Sequence, residues 1–374
     1  MSENRRRKRE EVELFEVDGS QMLDPEDDGK DRKPGRVLSA IGKVFLTIIV
    51  TLVILCGGIY ALMCVVVYGP SRTAQEQFVM SLRETSAIGF IANWFFSEDE
   101  VKAIIEKNSI KDTDVITNTS LVTMASGTDS SDESEEQSQD IEIVDIKGTT
   151  YRGKLMIIKD PSRVFVGTVP QFFEGDGKVV AKIAARYNAV GGVNGGEFVD
   201  GELTYTAMPV GLVMTDGRIV NGDTATRCHV TGFTKDNILV VGNMTGQQAL
   251  DMGMRDCVSI SSSIGPFLII NGEAQDVSGV GGGLNPRTAV GQRADGAVLL
   301  LAIDGRQANS LGASFADLLY IMQQYGAVNA STMDGGTSTQ MYYDGEVINV
   351  PYSPTGPRSC PTAVSYTHLR AHET

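Results

Sequence analysis

Histidine is scarce in this sequence, with three residues in 374, and tryptophan occurs once. Two of the histidines lie in the last ten residues, so His229 is the one candidate imidazole that remains for a metal site or a Ser-His-Asp triad. Its neighbour Cys228 adds a second ligand type, but no companion ligands follow at the spacing of a zinc site. We therefore expect no His-rich metal centre, no metal and no other cofactor.

Basic side chains are few relative to acidic ones, because 32 Lys and Arg stand against 47 Asp and Glu, for a net charge of −15. A surface that binds nucleic acid needs clustered Lys and Arg, so this composition argues against such a partner. The five cysteines are also too few and too scattered for a disulfide framework. Cys56 and Cys64 lie in an apolar run, while Cys228, Cys257 and Cys360 are compatible with one pair or with buried free thiols.

One long hydrophobic run interrupts a polar N-terminal region. Residues 44–68 carry no charged side chain and can cross a hydrocarbon core of about 30 Å as a helix. A cleaved signal peptide has a shorter apolar region nearer the N-terminus, whereas a polar arm, residues 1–43, precedes this run. Basic residues are concentrated before the run, which predicts a cytoplasmic, basic and disordered arm and an extracytoplasmic remainder. Those before it are Lys30, Arg32, Lys33, Arg36 and Lys43, and those after it are Arg72 and Arg83.

Composition divides the rest of the chain into further segments. Residues 69–108 are typical of a helical stalk, in which Ser97 and Glu100 have the spacing of a capping box. Residues 109–140 are polar and acidic, which we interpret as a disordered linker. At the other end, residues 364–374 resemble the translation of a sequencing adapter and are excluded from the analysis of the fold.

Between these segments, residues 141–363 alternate short apolar runs with Gly, Asn and Asp. This pattern predicts one α+β domain with a mixed, mainly antiparallel sheet and flanking helices, preceded by one transmembrane helix. Helices are expected at about residues 178–187 and 314–325. Hairpin turns are expected at Asp216-Gly217, Asn271-Gly272 and Asp344-Gly345.

A series of motifs runs through this domain in a specific order. They are Gly192 to Phe198 (GVNGGEF), Pro209 to Leu212 (PVGL), Gly265-Pro266-Phe267, Asn271-Gly272, Asn285 to Gly291 (NPRTAVG), Ile303 to Arg306 (IDGR), Asn329-Ala330, Met333 to Thr339 (MDGGTST) and Arg358. Together they resemble the phosphodiester glycosidase family, which includes the enzyme that removes N-acetylglucosamine to uncover mannose 6-phosphate and bacterial members linked to exopolysaccharide or envelope. The resemblance covers about residues 141–363, with departures from the family pattern at Thr337 and Glu197.

The resemblance implies cleavage of a sugar-1-phosphate diester at the anomeric carbon. Because a phosphate monoester is a good leaving group, the reaction depends less on a strong acid than on a carboxylate that attacks or activates water. Asp304 and Asp334 each end an apolar run before a glycine turn, which makes them catalytic candidates, although either could serve the turn alone. Glu197 is the third catalytic candidate.

The substrate-binding candidates combine cationic forks with small and polar residues. Guanidinium groups can hold two phosphoryl oxygens at once, and glycines allow close approach to the backbone. Asn194 could equally serve a turn or present its amide to a ligand, and Ser338 and Thr339 could orient Asp334 or bind substrate. The full set is Arg287, Arg306, Arg358, Asn194, Gly195, Gly335, Gly336, Ser338 and Thr339.

Three functions are compatible with these residues. The first is a single-pass membrane glycosidase that hydrolyses phosphodiester-linked sugars of envelope or exopolysaccharide glycans, with residues 44–68 in the lipid bilayer. The second is a non-catalytic glycan-binding or assembly protein of the same fold. The third is a metal-dependent phosphodiesterase, which would break the P–O bond instead. The retained Asp304, Asp334 and arginines favour the first.

Overall fold

The structure is a computed structural model that describes residues 34–83, 89–109, 113–123, 140–199, 205–262, 264–277, 283–353 and 356–367. The chain divides into two compact units, Met1–Met63 and Cys64–Thr374. Helix α1 spans Pro34–Val67, and its part Gly42–Val67 is long and apolar enough to cross a membrane. The hydrophobic run is therefore helical, as expected, while most of the predicted cytoplasmic arm lies outside the described residues.

Short helices follow α1 and form a small cluster with its own core. They are α2 (Arg72–Arg83), a 3-10 turn (Gly89–Trp94) and α3 (Glu98–Lys107). The predicted capping box is confirmed, because Ser97 Oγ accepts from the Glu100 amide and Glu100 Oε2 accepts from the Ser97 amide at 2.8 Å. The buried side chains of this cluster are Val79, Leu82, Ala92 and Val101.

The C-terminal domain contains three sheets. The first comprises β1 (Ile141–Lys147), β2 (Arg152–Ile158), β10 (Phe267–Ile270), β11 (Glu273–Ala274), β12 (Arg287–Arg293), β13 (Val298–Ile303) and β14 (Ala327–Thr332), in the order β1-β2-β13-β12-β14-β10-β11. The second comprises β3 (Val164–Thr168), β4 (Ala189–Asn194), β15 (Met341–Tyr343), β16 (Glu346–Val347) and β17 (Thr362–Thr367), in the order β16-β15-β4-β17-β3. The third comprises β5 (Val213–Thr215), β6 (Arg218–Asn221), β7 (Arg227–Thr234), β8 (Leu239–Thr245) and β9 (Met254–Ile260), in the order β6-β5-β9-β7-β8.

The predicted α+β class is confirmed, but the described strands form three sheets rather than one mixed sheet, and every pairing among them is antiparallel. The three hairpin turns also form, with both turn residues at positive φ as a type I′ turn requires. Helices α4 (Val180–Arg186) and α6 (Phe315–Gln324) lie within the predicted ranges. Helix α5 (Gly246–Asp251) was not predicted, although Thr245 and Gln248 form a capping box at its start.

The core of the first sheet lies on both of its faces. Leu299 and Leu301 of β13 pack on the α6 side, whereas Val298 and Leu300 pack against residues of the other two sheets. A strand covered on both faces is apolar without interruption, which explains the run AVLLLAI in the sequence. The third sheet packs on α5 through a separate cluster that contains Met214, Val230 and Ala249.

The structure differs from the expected linker at residues 113–123. Ile116 forms a β-bridge with Gly242 of the edge strand β8, and Thr117 Oγ1 accepts from the Val241 amide at 2.9 Å. The Asn118 amide donates to Asn271 Oδ1 at 2.6 Å. This segment thus covers a sheet edge, which otherwise leaves backbone groups unpaired. Residues 110–112 and 124–139 of the expected linker lie outside the described residues.

The expected domain end at residue 363 also falls inside an element. Strand β17 pairs with β3 on one side and β4 on the other, and Tyr366 is fully buried, with Arg163 Nη1 donating to its hydroxyl at 3.3 Å. Residues 364–367 therefore complete a central strand rather than follow the domain. Residues 368–374 lie outside the described part of the chain.

Candidate active site

Strand ends from the first two sheets meet at one edge of the domain. Because β12 is antiparallel to β13 and β14, Arg287 at the start of β12 lies beside Ile303 at the end of β13, while Ala289 pairs with Thr332 at the end of β14. Residues 333–340 then cross from β14 to β15, which pairs with β4 of the second sheet. The antiparallel topology thus brings the predicted motifs into one place.

Asn194, the last residue of β4, connects the two sheets. Its side chain is fully buried; Nδ2 donates to the Asp334 carbonyl at 2.6 Å, and Oδ1 accepts from Thr288 Oγ1 at 2.7 Å and from the Gln340 amide at 3.2 Å. Asn194 lies in a strand and not in the turn considered for it, and its amide group makes these bonds within the protein. Asn194 positions the backbone that carries Asp334.

Asp334 follows β14 and is held at this edge by the bond from Asn194 to its backbone carbonyl. Its Oδ1 accepts from the Gly335 amide at 3.0 Å, and the Ser338 side chain also hydrogen-bonds the carboxylate. Burial raises the pKa of Asp334 to about 6, with the negative charge of Glu197 acting in the same direction. The Ser338 hydrogen bond and the positive charge of Arg358 oppose this increase. A carboxylate of this kind is mainly ionised at neutral pH, yet close to its titration range.

Glu197 lies near enough to Asp334 for its negative charge to raise the pKa of that carboxyl. Its Oε2 accepts from the Ser261 amide at 2.6 Å, and its own amide donates to the Ser259 carbonyl at 3.0 Å. Glu197 is thereby held between the second and third sheets. The structure brings two of the three catalytic candidates, Asp334 and Glu197, to the same site.

Arg358 contacts the turn that follows Asp334. Its Nη1 donates to Thr337 Oγ1 at 3.0 Å, and its guanidinium lies 5.3 Å from the centre of the Phe198 ring. The hydroxyl of Thr337, where the sequence departs from the family pattern, therefore accepts a hydrogen bond from the Arg358 guanidinium. It holds a cation near Asp334.

Arg306 approaches the same turn from another direction. Its Nε and Nη2 donate to Asn285 Oδ1 at 3.1 and 3.0 Å, and a Cβ placed on Gly336 would lie 3.7 Å from Nη2. Arg306 has a φ of 57°, a left-handed conformation that is unfavourable for a residue with a side chain. Such strain is typical of functional sites, where the surrounding structure enforces it.

Arg287 differs from these two arginines. It is 6% exposed, its guanidinium stacks 3.9 Å from the centre of the Phe315 ring, and its Nε donates to the Ala313 carbonyl at 3.4 Å. The aliphatic part of the Arg287 side chain packs near Gly335, in the turn that follows Asp334. These contacts place its guanidinium on the α6 side of the first sheet.

Asp304, the remaining catalytic candidate, has its carboxylate held by other parts of the chain. Its Oδ1 accepts from the Val350 amide at 2.8 Å and from Asn349 Nδ2 at 3.0 Å, and burial raises its pKa while these bonds oppose the increase. Asn349 Nδ2 lies 3.4 Å from the Thr339 carbonyl. The Asp304 carboxylate therefore ties the segment after β16 to the end of the Asp334 turn, and it is not among the charges that act on Asp334.

The glycines of the site serve packing more than ligand approach. A Cβ on Gly195 would lie 2.4 Å from Thr362 Oγ1 and 2.9 Å from its carbonyl carbon, so no side chain fits there. Gly336 has a φ of 60°, which favours glycine in this turn. A Cβ placed on Gly335 would lie 3.1 Å from the Pro286 carbonyl oxygen.

Gln340 is a site residue that the motifs did not indicate. It is fully buried; its Nε2 donates to the Arg358 carbonyl at 2.8 Å and the Ser338 carbonyl at 3.2 Å, while its Oε1 accepts from the Val180 amide. It thus connects the Arg358 segment to the turn. Thr339 is also buried, with its hydroxyl 3.3 Å from that of Thr288. A polar Gln directly before the apolar β15 was the only signal in the sequence.

The remaining polar candidates lie elsewhere. His229 is buried against the Phe267 ring, with centroids 4.7 Å apart, and the three domain cysteines are free thiols. In the described parts of the chain, no group of three or more His, Cys, Asp or Glu side chains is arranged to hold a metal ion.

Comparisons with known proteins agree with the motifs. The sequence model of the phosphodiester glycosidase family matches residues 187–367. N-acetylglucosamine-1-phosphodiester alpha-N-acetylglucosaminidase of Mus musculus is 26% identical over 225 residues, which cover 55% of this chain and 42% of that protein. The SPbeta prophage-derived protein YomE of Bacillus subtilis (strain 168) is 38% identical over 65 residues, which cover 17% of this chain and 10% of YomE. The chain thus spans less than half the length of these curated relatives.

A solved structure shares the fold. The catalytic domain of zebrafish N-acetylglucosamine-1-phosphodiester alpha-N-acetylglucosaminidase, auto-inhibited by its pro-peptide, superimposes with a TM-score of 0.50 at 22% identity. The match covers 61% of this chain and 82% of the zebrafish chain. The family resemblance seen in the motifs is confirmed for residues 187–367, which match the phosphodiester glycosidase family and form most of this domain.

Proposed function

We propose that this protein is a membrane-anchored, extracytoplasmic glycosidase that hydrolyses sugar-1-phosphodiester linkages in envelope or exopolysaccharide glycans. The observation that carries this proposal is the environment of Asp334, a carboxylate whose pKa is raised by burial and responds to the charges of Arg358 and Glu197. The family of residues 187–367 supports the reaction class. The name of the mouse relative supports an N-acetylglucosamine phosphodiester as a first substrate to try.

The proposed chemistry assigns one task to each charged group. Ionised Asp334 attacks the anomeric carbon or activates a water that does so, and the C1–O bond electrons leave with the phosphate oxygen. Arg358 and Arg306 flank the turn at 336–338 from two directions and stabilise the phosphoryl oxygens. Glu197, the second carboxylate near Asp334, assists water in completing hydrolysis.

The proposed location follows from charge around the hydrophobic helix. Five basic residues lie close before residues 44–68 and two lie close after them, which favours a cytoplasmic N-terminus. We expect protease added to intact spheroplasts of an expressing bacterium to digest the domain. Complete protection until lysis would contradict this orientation.

Isotope labelling tests the reaction directly. The full-length protein in detergent is incubated in ¹⁸O-water with UDP-N-acetylglucosamine or a simple N-acetylglucosamine-1-phosphate diester. A glycosidase breaks the C1–O bond, so the phosphate product carries no label and free N-acetylglucosamine appears. Proton NMR of the first-formed anomer shows whether configuration is retained or inverted.

The same assay distinguishes the other two functions. A phosphodiesterase would put ¹⁸O into the phosphate and lose activity with EDTA. A non-catalytic binding protein would bind the diester without releasing product. Either result would contradict the proposed glycosidase.

The pH dependence of activity reports on the charges around Asp334. Because the ionised carboxylate is the reactive form, activity should fall as the pH drops through the Asp334 pKa of about 6. Glu197 raises this pKa and Arg358 lowers it. Glu197→Gln should therefore move the acidic limb of the kcat/KM profile to lower pH, and Arg358→Met should move it to higher pH.

Arg306→Met provides the matched control for this pair. Arg306 is not among the principal charges that act on Asp334, so its loss should reduce kcat/KM with a smaller change in the acidic limb. If Glu197→Gln and Arg358→Met moved the limb in the same direction, the assignment of that limb to Asp334 would be wrong.

A further inference from the structure

Two large aromatic side chains of the helical cluster are excluded from its core. Phe90 is 58% exposed and Trp94 is 63% exposed, and their rings pack edge to face with centroids 5.7 Å apart. The neighbouring aromatic residues behave differently, because Phe95 packs edge to face on Phe78 and Phe96 lies against the buried cluster. The 3-10 turn at Gly89–Trp94 thus presents one aromatic pair outward.

This pair lies close in the chain to the hydrophobic helix. Val67, the last residue of α1, is only 4% exposed, although the helix residues before it are mostly exposed. Gln75 Nε2 donates to the Gly69 carbonyl at 3.0 Å, so the first turn of α2 is bonded to the short segment that follows α1. Within the unit that starts at Cys64, four residues, 68–71, separate the last residue of α1 from the first residue of α2.

The chemistry of the pair fits the boundary between a bilayer and water. Trp and other aromatic side chains are enriched at this level because they have an apolar body and, for Trp, a polar N–H. Residues 72–107 contain four basic and six acidic side chains, so charge does not attract this segment to anionic lipids. Contact with lipid would have to come from the aromatic rings.

We infer that Phe90 and Trp94 form an interfacial anchor that inserts among the lipid headgroups of the membrane that α1 crosses. This inference rests on the proposed membrane anchoring through α1. The anchor would keep the helical cluster on the membrane surface and fix where the domain's tether leaves the bilayer. A second copy of the chain or a partner helix is the other possible cover for these rings, and the experiment separates the two.

Trp94 is the single tryptophan of the chain, so its fluorescence reports on this site alone. We would place the full-length protein in nanodiscs of zwitterionic lipids that carry bromine either near the headgroup or deep in the acyl chain. We expect a blue-shifted Trp94 emission that loses intensity with the shallow label and less with the deep label. Because no anionic lipid is involved, the loss should persist at high salt.

Two matched variants in a Trp94→Phe background serve as controls. Tyr60→Trp places the tryptophan within α1, where Tyr60 is 53% exposed, and should show quenching by the deep label. Tyr320→Trp places it on α6, where Tyr320 is 58% exposed, and should show none. Phe90→Ser, with Trp94 retained, should reduce the quenching of Trp94.

The controls separate failure of this inference from failure of the proposed anchoring. If Tyr60→Trp is quenched while Trp94 is not, α1 spans the bilayer but the interfacial anchor is wrong. If neither is quenched, the anchoring through α1 fails and the inference falls with it. An unquenched Trp94 whose emission shifts with the number of chains per disc would show that a second copy covers the pair, which also overturns the inference.

Discussion

Asp334→Asn should lower kcat by on the order of 10⁴-fold while the protein becomes more stable at neutral pH. The loss of activity follows because an amide cannot act as a nucleophile or a base at the anomeric carbon. The asparagine keeps the size of the side chain and can still bond Ser338 and the Gly335 amide, so ligand affinity should change little. Measurement of kcat and of the Kd for an uncleaved diester analogue checks both parts.

The gain in stability has a defined pH dependence. The pKa of Asp334 rises from 3.8 to about 6 on folding, so its ionisation opposes folding as the pH rises through this range. Asp334→Asn removes that cost, which is about 3 kcal/mol at pH 7. Thermal melts of both proteins should therefore differ at pH 7 and coincide below about pH 4. If the variant were less stable than the parent at pH 7, ionisation of Asp334 would not lower the free energy of unfolding as proposed.

Asp304→Asn is the matched control, because Asp304 has the same local sequence pattern. Its carboxylate Oδ1 is occupied by the Val350 amide and Asn349, so its loss should weaken the segment after β16. We expect a lower Tm and a decrease in kcat far smaller than that of Asp334→Asn. Equal losses of kcat in the two variants would return Asp304 to the chemistry.

Asn194→Ala should destabilise the domain by about 2 to 4 kcal/mol, the second large effect. The substitution leaves Thr288 Oγ1, the Gln340 amide and the Asp334 carbonyl without their Asn194 partner in a buried place. Because the last of these bonds positions Asp334, kcat should fall as well. Chemical denaturation monitored by circular dichroism, together with the diester assay, measures both losses.

Asn309→Ala is a suitable control for the change in side-chain type. Asn309 is exposed in the turn after β13, and only its backbone carbonyl bonds to Arg152. Its substitution should change stability by less than about 0.5 kcal/mol. If Asn194→Ala proved equally mild, the two sheets would not depend on Asn194 for their connection at this edge.

Features that depend on neighbouring residues could be predicted from the sequence. The three hairpin turns follow from Asp-Gly and Asn-Gly pairs, because only a few residue types adopt positive φ without cost. The cap at Ser97 and the hydrophobic helix are local in the same sense. The ordered motifs also indicated the family, since their spacing is a property of the chain alone.

Composition predicted a disordered linker at residues 113–123, whereas the structure shows this segment bonded to the domain. Its polar residues are typical of a linker, but Thr117 bonds the edge strand β8 and Asn118 bonds Asn271 in a turn, both formed much later in the chain. A polar segment packs well when another element offers unpaired backbone groups. Nothing near residue 117 reveals that β8 will offer them.

The sequence by itself determined that a phosphodiester glycosidase domain follows a hydrophobic helix, and it supplied Asp304 and Asp334 as equivalent aspartates before glycine turns. Only the tertiary structure gave the two carboxylates different surroundings. The Asp304 carboxylate accepts hydrogen bonds from Asn349 and the Val350 amide. The Asp334 backbone is instead bonded by Asn194, and its carboxyl is affected by the charges of Glu197 and Arg358. The partners of each aspartate come from distant parts of the chain. Desolvation and charge act through space, so the reactivity of a carboxylate depends on which distant residues the sheets bring beside it.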